Sequence, residues 1–231
     1  MKSVAIVAMG ASHADYTNEA ALAHSRHQVA DEIWAINAMG HVIEHDRLFV
    51  MDDLRVFVKR MEQAKQSWYT DWMKTHEKPI YTSVDYPEFP SSVPYPLAHV
   101  INNLRVPEYY NSTVAYAIAL AITEGFGRIR LFGCDFSYEN GHRSEAGRGC
   151  VEFFMGIAHA RGIVIEVARQ STLLDQNVPR DHKLYGYIKQ PDIGWDQQNN
   201  QYRAMPQGGV EYNDIHKVDF EHGRYVLKNV A

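Results

Sequence analysis

Residues 111–135 read NSTVAYAIALAITEGFGRIRLFGCD, and this stretch decides the fold class. From Val114 to Ile122 every residue is apolar or aromatic. A helix apolar nearly all round is buried on all sides rather than laid on a surface. Ser112 stands where an N-cap is wanted and Gly125 where a helix stops, so a helix is predicted over 111–125. Arg128–Phe132 then reads as a strand, closed by Gly133-Cys134-Asp135. A buried helix feeding directly into a strand is the building unit of a sheet with helices packed on its faces.

The same punctuation recurs on either side. Val4–Ala8 is a continuous apolar run. Runs without alternation suit strands covered on both faces. Met9-Gly10-Ala11-Ser12 follows it as a tight strand-to-helix turn. Strands are predicted near residues 3–8, 32–36, 47–51, 128–132 and 163–167, with a further one over 78–82. Helices are expected over about 17–30, 54–65 and 143–161 besides 111–125. The stretch YPEFPSSVPYP, residues 86–96, carries four prolines. Proline excludes helix interior and central strand, so a surface loop is expected there. The alternation predicts an α/β fold: a Rossmann-like, doubly wound, mainly parallel sheet with helices on both faces. This domain is placed at 1–170. Residues 171–231 turn rich in Gln, Asn, Asp, Tyr and His, and are expected to be an extension packed on the domain or on a partner subunit.

Composition narrows the classes. With 45% hydrophobic and 22% charged residues among 231, the chain can bury a core without staples. A net charge of −5 supplies no global basic field for nucleic acid or anionic lipid. The two cysteines, Cys134 and Cys150, form no CxxC pair. No run approaches the ~20 apolar residues of a membrane span. The N-terminal apolar run, broken at Gly10, is too short for a signal peptide. The expectation is a cytoplasmic protein.

In open α/β sheets ligands bind at the carboxyl ends of the strands. Small or polar residues end four of the predicted strands: Gly10-Ala11-Ser12, Asn37, Asp52-Asp53 and Gly133-Cys134-Asp135. The helix start Asn111-Ser112-Thr113 adds free N–H groups that favour a phosphate. Each has a plain structural alternative, as a turn glycine or a helix cap. The first turn reads MGAS rather than GxGxxG, so it is no dinucleotide fingerprint. Asp135, directly after a buried strand, is the foremost candidate catalytic carboxylate. His142, in the polar run YENGHRSE, is the candidate general base, and His13 is its rival. His41 and His45 have the i, i+4 spacing of a metal pair on a helix, but no third ligand is evident and a surface position is expected.

The order KSVAIVAMGAS, WAINAMG, LFVMDD and NSTVAYAIALAITEGFGRIRLFGCDFSY resembles the bacterial sialyltransferase family that contains the Campylobacter lipooligosaccharide enzymes. It is also similar to the motility-accessory proteins that glycosylate flagellin and to the archaeal hydroxymethylpterin diphosphokinases. The likeness covers roughly residues 2–170. It implies a glycosyltransferase that moves a sugar from a CMP- or UDP-type nucleotide-sugar donor to an acceptor hydroxyl, with a histidine as base and no required metal. Carried over, Gly10, Ser12, Asn37, Asn111, Ser112 and Thr113 would contact the nucleotide. Tyr138 would lie near the donor phosphate, and His142 would be the base. The diphosphokinase branch implies instead a Mg²⁺-dependent transfer with Asp52, Asp53 and Asp135 as carboxylates. A nucleotide-binding module without chemistry is the third reading. The acceptor and a homo-oligomeric state stay open. The run after Asp135 is shorter than the sialyltransferase lid.

Overall fold

The structure is a computed structural model. It describes residues 1–137, 141–178 and 183, together with four strands in the C-terminal part. Seven strands form one sheet: β1 (Ser3–Val7), β2 (Glu32–Ile36), β3 (Arg47–Phe49), β4 (Ile80–Thr82), β5 (Ser92–Pro94), β6 (Arg128–Phe132) and β7 (Val164–Val167). Every pair is parallel, and the spatial order is β5-β4-β3-β2-β1-β6-β7. The predicted doubly wound α/β architecture is the one observed.

Side chains alternate across the strands because a strand's period is two. Val4, Ile6, Trp34, Ile36 and Phe49 join one core with the helix α5 (Thr113–Thr123). Ala5, Val7, Ile33, Ala35 and Leu48 join a second core on the other face. That face is covered by α1 (His13–Ala23), α2 (Leu54–Gln63) and α3 (Trp68–Thr75). The first face carries α4 (Leu97–Leu104), α5 and α6 (Gly141–Ala160). Both faces of the central strands β1 and β2 are therefore covered, which is why Val4–Val7 and Ile33–Ile36 read as unbroken apolar runs. Helix α5 is buried from Val114 to Ile122 save for Tyr116, and its four alanines at 115, 117, 119 and 121 are fully enclosed. Small residues let it sit close to β1 and β2 while touching α4 and α6.

The structure departs from the sequence reading in several places. The helix expected over 17–30 is His13–Ala23, stopped by His24 in the left-handed region at φ 57°. A separate 3-10 turn, Arg26–Gln28, follows, with the Ser25 side chain accepting from the His27 N–H. Helices α3 and α4 were not foreseen. The proline-rich stretch is not loop throughout: Ser92–Pro94 pairs with β4 as the sheet's edge strand. Proline is tolerated there because the outer side of an edge needs no ladder donor. His45 is buried rather than on the surface, and its ring faces His76, not His41.

Residues Met1–Asn177 and Val178–Ala231 form two compact units. In the second, β8 (Asp192–Asp196) pairs antiparallel with β9 (Gln201–Met205), and β10 (Val218–Glu221) with β11 (Arg224–Leu227). Among the described residues no helix is long and apolar enough to cross a membrane.

Overfilling α5 tests its close approach to the sheet. Ala119→Leu is expected to lower stability by about 1–3 kcal/mol. A urea midpoint unchanged from the parent would show that this face is not tightly packed.

Candidate functional site

From β1 the chain winds outward through β2, β3, β4 and β5, then returns to lay β6 and β7 on the opposite side of β1. The connections diverge at that point, and a crevice opens at the carboxyl ends of the strands. A cavity of about 450 Å³ lies there, within the range of small-ligand sites. Of the residues singled out from sequence, Gly10, Asn37, Asp52, Asn111, Ser112, Thr113 and Asp135 line it. Tyr110, Tyr116, Phe136 and Arg143 complete much of the wall.

The floor is a set of bonds between the turn after β1 and the turn after β6. The Gly10 N–H donates to the Gly133 carbonyl at 2.8 Å. The Ser12 N–H and hydroxyl donate to the two carboxylate oxygens of Asp135 at 2.7 and 2.6 Å. In return, the Gly133 N–H donates to Ser12 Oγ at 2.9 Å. Both glycines are dictated by space. A Cβ on Gly10 would lie 2.6 Å from Asp135 Oδ2, and one on Gly133 would lie 2.0 Å from the Ala8 carbonyl oxygen. Gly133 also has φ +63°, which favours glycine. Ser12 is therefore 2% exposed and braces the floor from beneath rather than lining the cavity. Asp135 has both oxygens engaged by Ser12, which gives it the geometry of a positioning residue.

The walls carry unspent polar groups. Asn37, at the end of β2, has φ 52°, a conformation asparagine tolerates better than most residues. Its buried Oδ1 has no hydrogen-bond partner among the described residues, and neither does the buried Tyr110 hydroxyl. Buried polar atoms are normally paired, so two orphans in one cleft mark where a ligand would bond. Burial pushes the Tyr110 phenol up to about 12, so it stays a neutral donor. Sequence reasoning passed over Tyr110; its place directly before the Asn111-Ser112 helix start was the available signal. Ser112 caps α5 by accepting from the Val114 N–H at 3.3 Å. The positive end of that helix thus meets the cleft. Cys134 also lines it, but burial raises its thiol, so it is no thiolate nucleophile at neutral pH.

The remaining candidates separate. His142 is exposed in the first turn of α6, next to Arg143, and it is Arg143 that lines the cavity. The His13 ring is held at the turn, with Nδ1 donating to the Gly10 carbonyl at 2.8 Å. Asp53 caps α2, accepting from the Arg55 N–H and pairing with its guanidinium. Tyr138 lies outside the described residues. No group of three or more His, Cys, Asp or Glu among the described residues is arranged to hold a metal ion.

No family model matches the chain, and no curated protein matches it. Among solved structures, the sialyltransferase CstII from Campylobacter jejuni in complex with the substrate analogue CMP-3FNeuAc is similar, with a TM-score of 0.44 and 17% identity over 75% of this chain and 83% of that one. The sialyltransferase CST-II in complex with a trisaccharide acceptor and CMP gives a TM-score of 0.44 and 15% identity over 74% and 83%.

Ser12→Ala tests the floor. It removes a donor to Asp135 and leaves the buried Gly133 N–H without its acceptor, a loss of about 1–3 kcal/mol. Chemical denaturation of the variant measures it, and a cost below a few tenths of a kcal/mol would show that the two turns hold without Ser12.

Proposed function

We propose that the protein is a glycosyltransferase that takes a sugar from a nucleotide-sugar donor and passes it to an acceptor hydroxyl. The observation that carries this reading is the convergence of the strand ends of β1, β2 and β6 with the α5 N-terminus on one cleft. The sequence resemblance supplies the class of donor, and the cleft supplies a place of suitable size and polarity. Asn37 and the Tyr110 hydroxyl would bond the nucleoside, while Ser112, Thr113 and the positive end of α5 would face the phosphates.

In the transfer, the acceptor oxygen forms a bond to the anomeric carbon as the bond from that carbon to the donor phosphate oxygen breaks. The electron pair leaves on the phosphate, where the α5 N-terminus stabilises the added charge. The acceptor proton goes to His142, whose exposed ring at the start of α6 is open to a second substrate. This route asks for no metal. Of the three carboxylates that the Mg²⁺-dependent phosphotransfer alternative would use, Asp135 is engaged by Ser12 and Asp53 by α2 and Arg55, while Asp52 lines the cavity.

Two measurements test the reading. Thermal unfolding with CMP- and UDP-sugars, with and without Mg²⁺, should reveal a donor that adds about 2.7 kcal/mol of apparent stability at 100 times its Kd. Stabilisation by ATP alone and only with Mg²⁺ would favour phosphotransfer. With the donor known, His142→Ala should lower kcat by about 10²–10⁴ while donor affinity holds. Unchanged turnover in that variant rejects His142 as the base.

A further inference from the structure

His45 and His76 meet away from the cleft, in the segments that lead into β3 and β4 and so at the amino edge of the sheet. Their Nε2 atoms are 3.1 Å apart. The His45 ring is held by its other nitrogen, because a carbonyl only accepts: Nδ1–H donates to the Ile43 oxygen at 3.0 Å. That fixes the tautomer and leaves the His45 Nε2 lone pair facing His76. Metal-bound histidines are oriented by the same kind of bond from the far nitrogen to a carbonyl. On the other side, the His76 ring packs on Trp72 with centroids 4.7 Å apart, and its carbonyl accepts from the Ser91 hydroxyl.

The two nitrogens stand within hydrogen-bond distance, and the same placement of the rings has room for a shared ion. A metal about 2.0–2.1 Å from each nitrogen, with an angle of roughly 100° between them, would set the centres about 4.9 Å apart. The observed separation is 4.9 Å. We propose that His45 and His76 are a two-histidine site for a late first-row divalent cation, Zn²⁺ or Cu²⁺, which ties the segment before β3 to the end of α3. Imidazole nitrogens suit these ions best among the common divalent metals. No third protein ligand joins them among the described residues, so solvent on the half-buried His76 side fills the other positions. Lys78, whose ammonium donates to the His45 carbonyl, is the unfavourable neighbour, and it keeps the affinity modest.

The untagged protein, titrated with glycine-buffered Cu²⁺, reports on this site through Trp72. Wild type should show one saturable equivalent that quenches tryptophan fluorescence. His76→Gln, at the less buried partner, should weaken binding at least about tenfold while circular dichroism stays unchanged. Trp72→Phe should keep the affinity by calorimetry and lose most of the quench. His41→Gln should leave both unchanged, although His41 also packs on Trp72. The proposal is overturned if wild type shows no saturable binding or if His76→Gln titrates as wild type does. It is equally overturned if the quench survives Trp72→Phe or is lost in His41→Gln.

Discussion

The bonds between the turn after β1 and the turn after β6 set the geometry on which the cleft depends. Two strands that are neighbours in the sheet but 121 residues apart at Ser12 and Gly133 are joined there by side chain and backbone together. The Asp135 carboxylate receives two donors from one residue, and that residue's hydroxyl accepts from Gly133 in return. Charge-assisted bonds of this kind are stronger than neutral ones, and a closed cycle fixes orientation as well as distance. Any side chain on Gly10 or Gly133 would force the two turns apart. The cleft floor is thus made of groups bonded to one another, while Asn37 Oδ1 and the Tyr110 hydroxyl on the wall have no partner among the described residues.

That contrast organises the site. Residues that brace it, Ser12 and Asp135, have their hydrogen-bonding capacity turned toward each other. Residues that face its space, Asn37 and Tyr110, carry buried polar atoms without partners among the described residues. A preorganised polar cavity of this kind costs stability in the absence of a ligand and returns it on binding. Helix α5 serves both purposes. Its alanine-rich body is packed against the sheet on one side and against α4 and α6 around it, and its capped N-terminus points the helix dipole at the cavity.

The edges of the sheet are stabilised by different means. Toward β7, Arg130 pairs with Glu19 and Glu166, and Arg128 with Glu166. Near β2 and β3, Arg47 lies over Trp34 and pairs with Glu32 and Glu124. Beyond β3 the contacts become aromatic: Tyr69, Trp72, His76 and His45 pack ring on ring beneath the last two strands. The proline-bearing edge strand β5 then closes the sheet with few donors left to pair with another chain.

Much of the architecture was legible in the chain because burial on both faces writes a simple pattern. Unbroken apolar runs marked β1, β2 and β3, short apolar-rich segments after Gly127 and Gly162 marked β6 and β7, and the all-round apolar helix marked α5. The strand ends then pointed to Gly10, Asn37, Ser112 and Asp135 as one neighbourhood, since topology alone brings carboxyl ends together. Helices α3 and α4 escaped because each spans only eight residues, too few for a period to stand out. The edge strand β5 escaped because proline argues against strands wherever position in the sheet is unknown. What the chain could not state is how each polar residue spends its bonds. Ser12 read as a nucleotide contact and Asp135 as a catalytic carboxylate before the fold set them against each other, and the Tyr110 hydroxyl and His76 gained meaning from what the fold places around them. Periodicity is a local property, and one sequence carries it. Hydrogen-bond partnership is a property of proximity in space, and only the tertiary structure decides it.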